Sequence, residues 1–342
     1  MKKDKFTIHD IARELNITAS TVSRALNDNP RISAETKQSV LQMAKRLNYQ
    51  PNNIAAALRN GKSRILGVIV PRIDRSFFSS AVRGIEEIAN TAGYNVMICQ
   101  THENFEKEVT TVEALLNAQV DGIIASYSKG TSNFEHFEKI KEKGIPLVLF
   151  DRTSDDLGVS QVAIDDFLGA YYATAHLIAQ GYRRIAHYTN IRKISIFKER
   201  LKGYREALTE HGLPFDESLV QESNLQFEDG RQCMQKLMAL PEPPDAVFSA
   251  SALSAMGAIQ MVKQMGKRVP EDIGIVGFSD ESFASLSDPQ LTTVDQHSIH
   301  LGNKAAEIFL QELSKGSKDF PRKVVLKPDL IIRQSSLRKG KP

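Results

Sequence analysis

The chain has 342 residues, 41% of them hydrophobic and 25% charged, the proportions of a folded globular protein with room for two or three domains. No apolar run approaches the roughly 18 residues that span a bilayer, and the start, MKKDKFTIHD, lacks the apolar stretch of a secretory signal, so a cytoplasmic protein is expected. The formal charge of +3 hides a division: residues 1–62 carry eleven Lys/Arg against five Asp/Glu, while the remainder carries 33 against 36, a basic arm on a mildly acidic body of the kind that contacts nucleic acid.

Taken in order, Thr7 can cap a first helix whose apolar stripe is Ile8, Ile11, Ala12 and Leu15, at i, i+3, i+4 and i+7. Asn16-Ile17-Thr18 interrupts it, and Asn tolerates the left-handed backbone a tight turn requires. Thr18 can cap a second helix with Val22, Ala25 and Leu26 inward. Its outward face, Ala19, Ser20, Thr21, Ser23 and Arg24, is small and polar with one long cation, which can offer two hydrogen bonds to a guanine edge. A third helix follows, capped by Ser33, with Val40, Leu41, Ala44 and Leu47 inside. Lys37, Lys45 and Arg46 suit phosphate contacts or plain solvation equally. Asn48 stands where a helix end uses a left-handed residue. Residues 52–61, NNIAAALRNG, favour helix but fall short of the ~12–15 residues at which an isolated helix holds in water.

This stretch resembles the headpiece of the LacI/GalR family of transcriptional regulators, marked by a Thr-Val-Ser-Arg run in the recognition helix, here Thr21-Val22-Ser23-Arg24. The resemblance implies operator-contacting positions at Thr7, Thr18, Ala19, Ser20, Thr21, Ser23, Arg24, Asn27 and Tyr49, and at Asn52, Ala55, Leu58 and Arg59 of a hinge helix that folds on DNA against a second subunit. Leu58 matches the family's leucine that wedges into the minor groove; the alternative is a flexible tether with Leu58 solvated. Asn48 departs from the family's usual glycine.

From Ile65 onward, strand-length apolar runs alternate with amphipathic helices. The runs are Ile65–Val70, Asn95–Cys99, Gly122–Ala125, Pro146–Phe150, Val159–Ile164, Arg184–Tyr188, Ala246–Ala250 and Ile273–Phe278; the helices include Ala81–Ala92, Leu168–Ala179 and Ala252–Met265. That pattern predicts parallel sheets covered on both faces, and its length predicts two subdomains. The layout resembles the periplasmic-binding-protein-like core of the same family. Expected, then, are a small all-α helix-turn-helix headpiece (1–50), a hinge helix (51–61) and an α/β core (62–342) of two doubly wound subdomains. The first holds about 62–164 and 295–321, the second about 165–294 and 322–342, with crossings near Ile164–Asp165, Val294–Gln296 and Pro321–Leu326.

Ligands of open α/β sheets sit beyond the C-terminal ends of strands. There lie Arg72, Asp74, Phe77 and Phe78 (Phe78 better read as core), then Asp151, and Asp165, which suits helix capping and ligand binding equally. The resemblance adds Arg200, three residues before Gly203-Tyr204, and the candidate set is completed by Leu225, Ser251 and Ser279. At two positions the family's usual sugar-binding polar side chains are missing, replaced by Ser279 and by Ser251-Ala252. With Arg72, Arg152, Lys198 and Arg200 expected nearby, an effector bearing negative charge, such as a phosphorylated or acidic sugar, is the expectation.

Cys99 and Cys233 read as reduced core thiols, and His297 with His300 lacks a third ligand, so neither a metal nor a cofactor is expected. No P-loop, Gly-x-Gly-x-x-Gly, nucleophile-elbow or HExxH pattern is present, and an enzyme or a transporter's solute-binding protein on the same core are the lesser readings. The end of the chain lacks the leucine heptad of the family's four-subunit member, so a homodimer is expected, bound to a pseudo-palindromic operator.

Overall fold

The computed structural model describes residues 6–49, 62–191, 194–315 and 321–338. The chain forms two compact units that divide between Ser63 and Arg64. The expected hinge helix, with Asn52, Ala55, Leu58 and Arg59, lies outside the described residues.

Among the described residues the first unit is three short helices, α1 (Ile8–Glu14), α2 (Ala19–Leu26) and α3 (Ala34–Arg46), around a small core of Ile11, Ala12, Val22, Ala25, Val40 and Ala44. So little apolar area leaves the helix ends to do much of the specifying. The Asp10 carboxylate accepts both the Thr7 N–H and the Thr7 hydroxyl at 2.8 Å, and Thr18 and Ser33 accept the N–H groups of Thr21 and Thr36 at 3.2 Å. Asn16, Asp28 and Asn48 close the three helices with positive φ of 52°, 50° and 48°. Leu41 is a correction to the expected stripe: it is 55% exposed, because the inner face of α3 is centred on Val40, Met43, Ala44 and Leu47.

The second unit contains two six-stranded sheets. The first runs β11-β5-β4-β3-β1-β2 and is wholly parallel, from β1 (Ile65–Val70), β2 (Asn95–Gln100), β3 (Gly122–Ala125), β4 (Leu147–Phe150), β5 (Ser160–Ile164) and β11 (Lys323–Leu326). The second runs β12-β10-β9-β8-β6-β7, from β6 (Ile185–Asn190), β7 (Val220–Ser223), β8 (Ala246–Ser249), β9 (Gly274–Phe278), β10 (Thr292–Asp295) and β12 (Asp329–Ile331), parallel except for antiparallel β12. The central strands are buried on both faces, which is why they read as unbroken Val/Ile/Leu runs.

Helices cover both sheets. On the first, helices Ser76–Thr91 and Ser298–Lys315 pack together through Gly84 and Gly302, where a Cβ would stand 2.2 Å and 2.0 Å from the partner's carbonyl oxygens. On the second, Gly203 plays the same part, since a Cβ there would meet the Phe167 carbonyl oxygen at 2.1 Å. The chain passes between lobes after Ile164, after Asp295 and after Leu326. The third passage corrects the expected boundary at 322: Lys323–Leu326 pairs in parallel with β5, Leu326 opposite Ile164, and so belongs to the first lobe. At these passages His297 stands between Asp295 and Asp329, at 3.3 Å and 3.0 Å.

Candidate functional site

Two places carry unspent chemistry. In the first unit it is the outer face of α2. Val22 and Ala25 are buried, which turns Ser20 and Arg24 outward and leaves Ala19, Thr21 and Ser23 partly exposed. The Thr18 hydroxyl lies 2.8 Å from that of Ser20 and 2.9 Å from that of Thr21, a cluster of donors at a helix N-terminus. Arg24 is exposed and has no carboxylate partner among the described residues, whereas Lys37 is spent on Asp28 at 2.6 Å and Arg13 on Asp10 at 3.4 Å. Asn27 is exposed, with its amide bonded to the Ser23 carbonyl, and Tyr49 is partly buried against the small core.

In the second unit it is a cleft between the lobes, with a cavity of about 140 Å³ at the C-terminal edges of both sheets. The structure brings eight of the ten candidate positions to it: Arg72, Phe77, Phe78, Asp151, Arg200, Leu225, Ser251 and Ser279. Asp74 and Asp165 are not among its walls. Asp74 is bonded to Arg72, and the Asp165 carboxylate accepts the Leu168 N–H at 2.9 Å as the cap of helix Asp166–Ala179. Of the four cations expected nearby, Lys198 faces a different hollow, with Arg205 and Phe215. The cleft also takes Arg75, Glu103, Lys129, Arg152, Phe197, Gln226, Glu281 and Gln296, which sequence reasoning did not place there, Arg152 apart. The strand-end rule would have found Glu103 and Lys129 had it been applied beyond β2 and β3.

Each lobe anchors one arginine. Arg152, buried, makes a two-pronged bond to Glu103 (2.7 and 2.8 Å) and a third bond to the Tyr127 carbonyl at 2.8 Å. Burial pushes the Glu103 carboxyl up, but the Arg152 guanidinium and the Lys129 N–H outweigh it and hold the group below the ordinary range. Arg200 is bonded to Asp166 (2.8 and 2.7 Å) and to the Ala250 carbonyl at 2.8 Å, and lies 3.5 Å over the Phe278 ring. Burial pushes the Asp166 carboxyl up to about 6 despite that arginine. Asp151 is buried with the Ser126 hydroxyl 3.3 Å away, and burial raises its carboxyl as well. Asp280 is turned away from the cleft, bonded by Arg333 and Thr293.

Four cleft residues other than glycine hold positive φ: Glu103, Asp151 and Leu225 at 60°, and Ser279 at 81°. Such positions cost about 1–3 kcal/mol each and gather at binding sites. The lobes touch across the opening. Arg75 reaches Gln226 at 3.2 Å and Glu281 at 3.8 Å, and Glu281 accepts the Ser76 N–H at 3.3 Å, capping a helix whose own cap position, Arg75, supplies no acceptor.

Among the described residues no helix is long and apolar enough to cross a membrane, and no three His, Cys, Asp or Glu side chains could together hold a metal. Residues 7–52 match the family model for bacterial regulatory proteins of the lacI family, and residues 63–333 match that for periplasmic binding proteins and the sugar-binding domain of the LacI family. Catabolite control protein A of Priestia megaterium is 34% identical over 92% of this chain and 94% of its own length. The ribose operon repressor of Halalkalibacterium halodurans is 32% identical over 96% and 97%. Among solved structures, the lac repressor dimer bound to operator and the anti-inducer ONPF has a TM-score of 0.88 at 25% identity, covering 98% of this chain and all of that one.

Proposed function

The chain belongs to the LacI family of bacterial transcriptional regulators, proteins that join a DNA-binding headpiece to an effector-binding core and are not enzymes, and from that premise we propose the following working cycle. In the cytoplasm a homodimer sets two copies of α2 into successive major grooves of a pseudo-palindromic operator, with Arg24 reading a base edge and the Thr18, Ser20 and Thr21 hydroxyls reaching phosphate or base. Residues 51–61 fold as paired hinge helices on that operator, with Leu58 at the central step. A sugar or sugar derivative enters the cleft and changes the lobe contacts around Arg75 and Glu281. It can move operator affinity only by as much as it prefers one lobe arrangement over the other.

The observation that carries the DNA-reading half is the exposed Arg24, without a carboxylate partner among the described residues, on a helix otherwise faced with small residues, most of them hydroxyl-bearing. Pairing of two copies is supported by edge strand β2, which exposes Met97 (38%) and Ile98 (44%), and by Leu286 at 84%. Gel shifts with genomic fragments test the reading. The wild-type chain retards a specific subset, and Arg24→Ala weakens that binding about 10- to 100-fold while nonspecific binding persists. No specific retardation by the wild type would refute it.

A further inference from the structure

We infer that the effector carries an anionic group, a carboxylate or a phosphate monoester on a sugar-sized polyol, and that Lys129 is the residue that receives it. The inference rests on reading the interlobe cleft as the effector site. Among the described residues five cations line that cleft, and four of them have a carboxylate partner there: Arg72 has Asp74, Arg75 has Glu281, Arg152 has Glu103 and Arg200 has Asp166. Lys129 has none. Among the described residues its ammonium touches only the Phe197 ring, 5.4 Å from the centroid.

The loop that carries the ammonium is fixed from below. The Lys129 N–H donates to Glu103 at 2.7 Å, the Ser128 N–H donates to buried Glu108, and Glu108 also accepts from Thr131 at 2.7 Å and pairs with His136 at 2.9 Å. Burial first, and then repulsion from Arg152, Arg75 and Arg200, push the Lys129 ammonium down to about 8, with Glu103 the one opposing charge. A half-buried ammonium among three guanidiniums stays unfavourable until an anion enters. A neutral hydroxyl could accept its proton but could not offset the charge, whereas a carboxylate or phosphate oxygen does both. A second donor is available: buried Arg152 Nε makes no hydrogen bond, with the Asp151 carboxylate 3.9 Å away. Asp151, on the same walls, is a carboxylate with lone pairs to spare, which suits the hydroxyls of the polyol body.

Calorimetric titration of the full chain at pH 7 with gluconate, glucuronate and glucose 6-phosphate, each against glucose, tests the inference. At least one acid is expected to bind about 10- to 100-fold more tightly than glucose, and the carboxylate and phosphate arms report which group is taken. Lys129→Met should remove that preference and Lys129→Arg should keep it. For the wild type, the preference should fall as pH rises above about 8, where the ammonium loses its proton. The inference is overturned if no acid exceeds glucose, or if Lys129→Met keeps the preference. Failure of the regulator reading would show separately, as loss of specific retardation by the unliganded wild type.

Discussion

The two lobes of the core are built alike and meet the ligand differently. Both are six-stranded sheets covered by helices, and both offer their C-terminal strand edges to one cleft. The first lobe contributes most of the charge, Arg72, Arg75, Glu103, Lys129, Asp151 and Arg152, together with Phe77 and Phe78. The second contributes Ile196, Phe197, Leu225, Ala250 and Phe278, with Arg200 lying against the Phe278 ring and Glu281 reaching across to the opposite helix. The same fold thus gives one wall richer in charge, with Phe77 and Phe78 beside it, and another richer in apolar surface, with Gln226, Ser251 and Ser279 among it. The architecture dictates where a ligand goes, and the strand-end residues dictate which ligand it is.

The division has a weak point in each wall, and the second lobe's is the deeper. Arg200→Met leaves Asp166 buried without its guanidinium and the Ala250 carbonyl without its donor, an uncompensated charge costing about 3–5 kcal/mol in urea unfolding at pH 7. Because burial already holds the Asp166 carboxyl at about 6, the acid takes up a proton readily, and the deficit should shrink by pH 5. A deficit that does not change with pH would mean that Arg200 acts through packing on Phe278 alone. Glu103→Gln in the first lobe is the milder counterpart. It strips Arg152 of its charge partner but keeps an acceptor, for about 1–3 kcal/mol. Glu103 is held below its ordinary range, so its contribution is present above that range. It is lost as the pH falls through the folded value, so the gap between variant and wild type should narrow as the pH drops below the ordinary glutamate range. If Glu103→Gln proved the costlier change, the ranking of the two walls would be reversed. Gly203→Ala ranks next, at about 1–3 kcal/mol by thermal unfolding, because its Cβ would press into the Phe167 carbonyl and prise apart the helix pair that carries both Asp166 and Arg200.

Much of this was legible without coordinates. Buried parallel strands announce themselves as β-branched runs, and Ile65–Val70 and Gly122–Ala125 coincide with the predicted spans to the residue. The strands that escaped had no such signature: Val220–Ser223 is a polar edge strand and Asp329–Ile331 has three residues. Lys323–Leu326 was seen as a crossing but given to the wrong lobe, since nothing local to a strand says which sheet it joins. The strand-end rule assembled most of the cleft. It could not say which charges cancel, because Arg152 finds Glu103 49 residues away and Arg200 finds Asp166 34 residues away. Lys198, expected near the cleft, lines another hollow, and Lys129 lines the cleft instead.

The smallest effect concerns neighbouring acids. Asp165 and Asp166 follow the same strand at the passage between lobes, and sequence alone could assign either to the ligand. The backbone turn there separates their tasks. The Asp165 side chain folds back onto the Leu168 N–H as a helix cap, while Asp166 points inward to Arg200 behind the cleft wall. Asp165→Ala should therefore cost about 1 kcal/mol of core stability, as the loss of a cap does, and leave effector affinity unchanged by calorimetry. Asp165→Ser, which keeps an oxygen in capping reach, should restore the stability. An affinity loss in Asp165→Ala with stability intact would place that carboxylate in the ligand's reach, and would make the passage between lobes part of the charged wall.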